Sequence, residues 1–293
     1  DHHRTHSVLV LDSEEVVNVD ELRQSVEADE PASVASNSTG ADVQVFARFR
    51  PLNDREVGLG DQENKRVYHY RTEGDHRTIE MLRPPSSVLQ TEKEFTFDGI
   101  FPEETTQAEL YQKTAHPLVA ELLKGFNCTL MAYGQTGSGK SYTMTGQLED
   151  EAREGIIPRM IRELFDEVEA HSEQYVFSIQ CSFVEIYLER VRDLLNPELD
   201  NLKLREVISR KFSKSKKLKS VKSCVFIQGC TVCTVKSWKD MLKVMRRGDQ
   251  NRVTAETDMN QRSSRSHAVF VVNVIQTEVV KQTRRSSKLF LVD

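Results

Sequence analysis

Hydrophobic and polar positions alternate over several short segments of this chain, which is the pattern of β-strands with one buried face. The alternation is clearest over 43–49, and Pro51 follows and ends the strand. Runs rich in Val, Ile, Phe and Tyr predict strands over 175–188, 268–278 and 289–292, and shorter strands are predicted over 67–70, 78–82 and 225–233.

Apolar residues spaced three and four apart predict helices between these strands. Such spacing is found over 106–124, 156–170 and 238–247, and residues 141–147 are predicted to form the beginning of a further helix. Strands that alternate with helices are typical of a three-layer α/β domain.

Boundary signals accompany two of the predicted helices. Thr105 or Thr106 is a suitable N-cap for 106–124, and Gly125 is a suitable stop. Pro117 lies inside that segment, so we expect a kink or a break there. Gly248 is predicted to end the helix of 238–247.

A glycine-rich segment follows directly after the apolar run 127–133. Gly134-Gln135-Thr136-Gly137-Ser138-Gly139-Lys140-Ser141 has the spacing G-x-x-x-x-G-K-[ST] of a phosphate-cradling loop. Glycines permit positive φ, and successive N–H groups then form an anion nest at the start of the next helix. Lys140 would reach the β- and γ-phosphates, and the Ser141 hydroxyl would be a Mg²⁺ ligand. The alternative is a glycine-rich turn that matches by chance.

Composition indicates a globular chain with a distinct first segment. Of 293 residues, 38% are hydrophobic and 29% charged, and no run of about 18 apolar residues predicts a membrane span. Residues 1–42 hold ten acidic and two basic residues, whereas the remainder has a net charge of +3. Residues 1–41 lack aromatic residues and end in a Ser-containing linker, so we predict a disordered acidic arm over 1–41 and a domain over 42–293.

Cysteine usage favours a reducing compartment. The chain has five cysteines, an odd number, and no visible secretory signal, so we expect a cytoplasmic protein. Cys230 and Cys233 have C-x-x-C spacing without a second pair, and we expect them to pack on a strand instead of binding metal.

The stretch 207–223 places seven Lys and Arg residues among serines. We predict a solvated, disordered loop, and the sharper hypothesis is an electrostatic contact for an acidic surface. Whether this basic stretch is a true insertion is left open by the sequence.

A second polar motif precedes the strand predicted over 268–278. Asn260-Gln-Arg-Ser-Ser-Arg-Ser-His267 could be an ordinary polar loop when taken alone. An NTPase, however, must position an attacking water and respond to the γ-phosphate, and hydroxyl groups can do both.

Taken together, these motifs resemble those of kinesin motor domains. The segment 260–267 is similar to the first switch loop of kinesins, and 134–141 to their phosphate loop, in which Thr is more usual than Ser141. Further similar stretches, in family order, are VFARFRP at 45–51, FTFDGIF at 95–101, Tyr187 to Leu195 with Leu188-Glu189 in place of Asn-Glu, and LFLVD at 289–293. The last resembles the lead-in to the second switch.

The resemblance implies a P-loop NTPase of the kinesin-motor fold, an α/β domain with a central, mostly parallel eight-stranded sheet and three helices on each face. It implies ATP and Mg²⁺ as cofactors. Arg50 and Pro51 would flank the adenine, and Tyr142 would stack on it. Asn260 and Ser263 would position the γ-phosphate and the attacking water. Ser264 would ligate Mg²⁺ together with Ser141, and Asp293 would bind a water of the Mg²⁺ ion. Arg265 would pair with a glutamate of the second switch.

The implied function is microtubule-stimulated ATP hydrolysis that drives movement along microtubules in the cytoplasm. The opening motif and NPELDNLKLRE at 196–206 are most similar to N-terminal-motor kinesins, which favours plus-end movement and a homodimer joined by a coiled-coil stalk. The basic stretch 207–223 falls near the family's tubulin contact, and no nucleic-acid partner is expected.

Three other hypotheses remain. The chain begins with Asp1 and stops at Asp293 within a strand-like run, so it is expected to be a fragment, and a fragment that binds nucleotide or tubulin without turnover is the main alternative. A myosin-like motor is disfavoured by the phosphate-loop sequence and by His267. A generic P-loop kinase is disfavoured because nothing resembles a site for an acceptor substrate. Subfamily, direction and cargo are not determined by these residues.

Overall fold

The computed structural model describes residues 5–12, 43–52, 68–71, 78–81, 94–212, 218–257 and 266–293. The chain forms two compact units. The first unit comprises Asp1–Phe177 and Val274–Asp293, and the second comprises Ser178–Asn273. No helix in the described ranges is both long and apolar enough to cross a membrane.

The described chain contains fourteen strands and five α-helices. The strands are β1 Thr5–Asp12, β2 Gln44–Arg48, β3 Tyr68–Arg71, β4 Thr78–Met81, β5 Glu94–Thr96, β6 Gly99–Phe101, β7 Asn127–Tyr133, β8 Tyr175–Tyr187, β9 Arg190–Asp193, β10 Lys203–Phe212, β11 Leu218–Gln228, β12 Cys233–Val235, β13 Ser266–Glu278 and β14 Arg284–Val292. The helices are α1 Gln107–Thr114, α2 His116–Lys124, α3 Lys140–Met144, α4 Ile156–Ala170 and α5 Trp238–Thr257, with a 3₁₀ turn at Glu151–Arg153. The helices follow β6, β7 and β12.

A parallel sheet forms the centre of the first unit. Its strands lie in the order β14, β7, β1, β2, β6, and every neighbouring pair is parallel. Leu130 of β7 is opposite Leu291 of β14, and both side chains are almost completely buried. Because the strands are parallel, the carboxyl ends of β7 and β14 lie side by side at one edge.

The strand β1 corrects the prediction of a disordered arm over 1–41. Thr5–Asp12 is eight residues of extended chain that pairs with β2 on one side and β7 on the other. Two ladders satisfy its backbone groups, which explains why an acidic segment without aromatic residues is ordered here. Residues 13–41 lie outside the described residues. β1 is a strand that the sequence did not predict.

The segment predicted as one helix over 106–124 consists of two helices, α1 and α2. The break falls at Ala115, and Pro117 occupies the first turn of α2, where its missing N–H leaves no helical bond unmade. Thr106 is the N-cap of α1, and Gly125 ends α2 with a φ of 101°. The predicted break, cap and stop are therefore confirmed.

The second unit contains α5 and residues of six strands, of which β8, β9, β12 and β13 pair with one another and β10 pairs with β11. β8 lies between β12 and β13, and β9 pairs with β8; both β12 and β9 run antiparallel to β8. The rings of Phe183 and Phe270 meet edge to face with centroids 5.2 Å apart. Cys233 is opposite Cys181 across β12 and β8, the thiols of both are free, and burial raises the pKa of Cys181 to about 12. Within the described residues no group of three or more His, Cys, Asp or Glu is placed to hold a metal ion.

The helix α5 corrects the prediction that Gly248 ends a helix at residue 247. The helix continues to Thr257. A Cβ atom at Gly248 would lie 2.1 Å from Cδ1 of Phe183, so the glycine is there to let the helix approach that ring. Close packing, rather than helix termination, accounts for this residue.

The basic stretch 207–223 also differs from its prediction as a disordered loop. β10 and β11 form a two-stranded antiparallel sheet that includes residues 207–212 and 218–223. The backbone ladder extends from Lys203 opposite Gln228 to Phe212 opposite Leu218. Residues 213–217 lie outside the described part of the chain.

Candidate nucleotide-binding site

The loop after β7 has the backbone geometry that its glycines predict. Gly137 and Gly139 have φ values of 84° and 107°, a region that favours glycine. Gly139 is the N-cap of α3, which begins at Lys140. The loop therefore joins the end of a buried strand to the start of a helix, as a phosphate-cradling loop requires.

Two features of this loop fit a bound phosphate group. A Cβ atom added at Gly137 would have no heavy atom within 4 Å, so the loop is open at this point. Ser138 is 2% exposed, and its hydroxyl has no hydrogen-bond partner among the described residues. A buried hydroxyl without a partner is costly unless a ligand oxygen supplies one.

The Lys140 side chain is hydrogen-bonded to the loop that precedes it. Its Nζ donates to the carbonyl oxygens of Gly134 and Gln135, each at 2.7 Å. An ammonium group has three donors, so it can bind a further oxygen while it is held in this position. Lys140 thus lies at the same loop whose backbone forms the nest.

Ser141 and Asp293 are brought together by the sheet. The Ser141 hydroxyl donates to Oδ2 of Asp293 at 2.8 Å. Ser141 is the second residue of α3, the helix that follows β7, whereas Asp293 directly follows β14, the neighbouring parallel strand. A hydroxyl and a carboxylate are both hard oxygen ligands, which suits Mg²⁺ or a water bound to it.

Arg48 is the arginine that contacts Tyr142 in the structure, and it was not among the predicted site residues. Its guanidinium carbon lies 5.4 Å from the centroid of the Tyr142 ring, and the Tyr142 side chain is 43% exposed. The described hydrogen bond of Arg50 goes to the carbonyl of Pro51 at 3.1 Å, and Pro51 is exposed. The alternation along β2 could not have indicated this, because it groups Arg48 with Gln44, whereas Arg48 is buried and Gln44 is exposed in the structure.

The first-switch motif is described only at its end. Asn260, Ser263, Ser264 and Arg265 lie outside the described residues.

Ser266 is the first residue of β13, and both Ser266 and Arg252 lie in the second unit. Arg252 of α5 donates to the carbonyl and the hydroxyl of Ser266 at 3.4 and 3.3 Å. The Nε atom of Arg252 is 3.8 Å from a carboxylate oxygen of the fully buried Glu185. This ion pair fixes the backbone at the end of the motif.

Two other motif positions also have specific structural roles. Asp98 accepts a hydrogen bond from the Val45 N–H at 2.6 Å and donates its own N–H to the Val45 carbonyl. Asp193 is buried and accepts from the N–H groups of Leu195, Asn196 and Thr231. These carboxylates hold backbone segments in place.

Comparison with known families decides among the alternatives. The family described as Kinesin motor domain matches residues 48–293. The chain belongs to the kinesin family. The P-loop NTPase fold predicted from the resemblance is confirmed, and the myosin-like and generic-kinase hypotheses are wrong.

Kinesin heavy chains are similar to most of this chain. Kinesin heavy chain isoform 5A of Mus musculus is 36% identical over 260 residues, which is 89% of this chain and 23% of the relative. Isoform 5C of Rattus norvegicus is 37% identical over 251 residues, 86% of this chain and 24% of the relative. The chain thus spans about a quarter of the length of these relatives.

A solved kinesin structure has the same fold. It is described as a fast kinesin, with implications for ATPase mechanism and interactions with microtubules. Its TM-score to this chain is 0.70 at 35% sequence identity, and the match covers 85% of this chain and 64% of the other.

Proposed function

We propose that this kinesin motor domain binds ATP with Mg²⁺ and hydrolyses it to drive movement along microtubules. The contact between Ser141 and Asp293 beside Lys140 is the observation that carries the proposal. A cation, a hydroxyl and a carboxylate at one glycine-rich loop support the proposal, because these are the groups that phosphoryl transfer needs.

Each of these residues has a distinct role. Lys140 binds the β- and γ-phosphates, and the loop N–H groups with the start of α3 stabilise their negative charge. Ser141 and Ser264 would ligate Mg²⁺, and Asp293 would bind one of its waters. Asn260 and Ser263 would position the attacking water. ATP is the proposed substrate, and bound Mg²⁺ would supply positive charge beside its phosphate oxygens.

The base lies against Tyr142, with Arg50 and Pro51 beside it. Tyr142 offers an exposed ring face for stacking. Arg265 would pair with a glutamate of the second switch, and this pair would couple the phosphate site to the conformation of the motor.

Microtubules are the proposed partner, and the basic stretch 207–223 is a proposed contact. Tubulin presents an acidic surface, and clustered lysines attract such a surface over a distance set by the ionic strength. By similarity to kinesin heavy chains we propose a homodimeric, plus-end-directed motor of the cytoplasmic cytoskeleton.

ATP hydrolysis by the intact protein, measured with and without microtubules, tests the proposal. We expect turnover that microtubules accelerate. Lys140→Ala should abolish nucleotide binding, whereas Lys243→Ala, which removes a surface lysine with a 75% exposed side chain, should not. Nucleotide binding without any turnover would contradict hydrolysis and would favour a non-cycling nucleotide-binding protein.

Ser263→Ala separates binding from chemistry. We expect nucleotide binding to be retained and turnover to fall by about 10²-fold or more, because a group that positions the reacting water is lost. Ser172→Ala removes an exposed serine hydroxyl and serves as the control. Normal turnover of Ser263→Ala would show that Ser263 does not position the water.

Charge removal tests the microtubule contact. Replacing Lys214, Lys216, Lys217 and Lys219 with glutamine should weaken microtubule affinity and flatten its dependence on salt. Unchanged affinity at low salt would exclude the basic stretch as a contact.

A further inference from the structure

Gln107 connects three elements of the first unit through one buried side chain. It is the first residue of α1 and is 3% exposed. Its Oε1 accepts from Nη1 of Arg48 at 2.9 Å, and its Nε2 donates to the carbonyl of Tyr142 at 2.7 Å. A longer contact, 3.4 Å, joins Nε2 to the carbonyl of Arg153. The amide therefore uses both its acceptor and its donors.

The arginine held by Gln107 contacts the same segment of α3. Nη1 of Arg48 also donates to Oγ1 of Thr143 at 2.8 Å, and the Arg48 guanidinium lies over the Tyr142 ring. Arg48 is 6% exposed and Thr143 is 2% exposed. Gln107 thus restrains Tyr142 twice, directly at its carbonyl and through Arg48 at its ring.

The contacts of Gln107 and Arg48 restrain the Tyr142 ring. Tyr142 has an exposed ring, whereas the groups behind it are buried and hydrogen-bonded. A buried polar network with all of its members paired is rigid, and loss of one member removes hydrogen bonds that hold the others in place in a medium of low dielectric constant. The ring orientation therefore depends on Gln107, although Gln107 itself is not at the surface.

We propose that Gln107 is a positioning residue that fixes Tyr142 for stacking on the base of a bound nucleotide, and so sets affinity for the base and not for the phosphates. The inference rests on the proposed function, in which Tyr142 stacks on adenine. The phosphate-binding groups are the backbone of 134–139 and Lys140, and none of the described hydrogen bonds of Gln107 goes to them.

A comparison of two ligands tests the proposal. Binding of Mg·ATP and of magnesium tripolyphosphate, which lacks the base, is measured for the intact protein and for Gln107→Met. Methionine keeps the length of glutamine and removes its polar atoms. We expect ATP affinity to fall about tenfold, since two hydrogen bonds that order the ring are lost, and tripolyphosphate affinity to change less than twofold.

Matched variants separate positioning from general loss of structure. Gln112→Met makes the same change at an exposed position of α1 and should alter neither affinity. Gln107→Glu keeps an acceptor for Arg48, so it protects the fold, but it cannot donate to the Tyr142 carbonyl when ionised. We expect Gln107→Glu to show the same selective loss of ATP affinity.

A double-mutant cycle with Tyr142→Ala identifies the residue through which Gln107 acts. If Gln107 acts through the ring, Gln107→Met should cost little further ATP affinity once the ring is gone. An undiminished effect in the Tyr142→Ala background, an equal loss for both ligands, or no loss of ATP affinity would each overturn the proposal. A wild-type protein that binds neither ligand would instead refute the proposed function on which it rests.

Discussion

Ser141 donates a hydrogen bond to Asp293 although 152 positions separate them in the sequence. The contact exists because β7 and β14 are adjacent and parallel, so the residues that follow them meet at one edge of the sheet. A hydroxyl from the phosphate-binding loop and a carboxylate from a different strand are thereby placed within 2.8 Å.

Ser141→Ala should reduce the Mg²⁺-dependent part of nucleotide affinity, because the hydroxyl ligand is removed while Lys140 and the loop remain. Ser141→Thr retains the hydroxyl and should preserve that affinity. The measurement is nucleotide binding titrated against Mg²⁺ for both variants. Equal Mg²⁺ dependence in Ser141→Ala and wild type would mean that Ser141 is not a metal ligand.

Gly248→Ala should destabilise the protein by up to about 2 kcal/mol. The new methyl group would clash with the Phe183 ring, and overpacking typically costs about 1–3 kcal/mol, of which a gain of about 1 kcal/mol in helix propensity offsets a part. Urea unfolding gives the difference. Arg247→Ala, at the preceding exposed position, is the control, and the cost should shrink in a Phe183→Leu background. A stabilised Gly248→Ala variant would refute the close-packing explanation.

Leu188→Asn should stabilise the protein by up to about 1 kcal/mol. Leu188 and Glu189 connect β8 to β9 with φ values of 48° and 61°, a conformation that is unfavourable for leucine and tolerated by asparagine. Leu188 is 67% exposed, so little buried apolar area is lost. Leu188→Ala keeps the unfavourable backbone and should give no such gain in the same unfolding assay; equal effects of the two variants would rule out backbone strain.

Glu109 should titrate below the usual range of a glutamate. Its pKa is lowered by the Thr106 backbone N–H, then by the Thr106 hydroxyl, both of which donate to the carboxylate. A lowered folded-state pKa means that its contribution to stability is present above the unfolded-state pKa and is lost as pH falls through the folded-state value. NMR titration of the Glu109 carboxyl measures this pKa directly.

Thr106→Ala should raise the Glu109 pKa towards its usual value and cost about 1 kcal/mol of stability at neutral pH, since the N-cap of α1 is lost. Thr105→Ala is the neighbouring control and should leave the pKa lowered. An unchanged Glu109 pKa in Thr106→Ala would contradict the role of the hydroxyl.

The sequence predicted most of the first unit because its signals are local. The spacing of 134–141, the cap at Thr106 and the stop at Gly125 act within a few residues, and the structure has all of them at the predicted places. Periodicity likewise located β7, α4 and β13. The roles of Asn260, Ser263, Ser264 and Arg265 remain predictions.

Errors arose where distant residues decide the outcome. The local sequence predicts that Gly248 ends a helix. In the structure Gly248 instead lets the helix pack closely against Phe183 of another element. The stretch 207–223 is disordered by composition, but pairing of β10 with β11 orders much of its backbone. The sequence identifies Arg48 only as a strand residue, whereas in the structure its guanidinium donates hydrogen bonds to Gln107 and Thr143.

The sequence by itself determined the kinesin motifs, the phosphate-binding loop and the order of most strands and helices, because each depends on residue types at short fixed spacings. The tertiary structure alone decided that Thr5–Asp12 lies between β2 and β7, that Asp293 reaches Ser141, and that Gln107 holds Tyr142. These contacts join residues far apart in the chain, and only the strand order and the packing of helices bring them together.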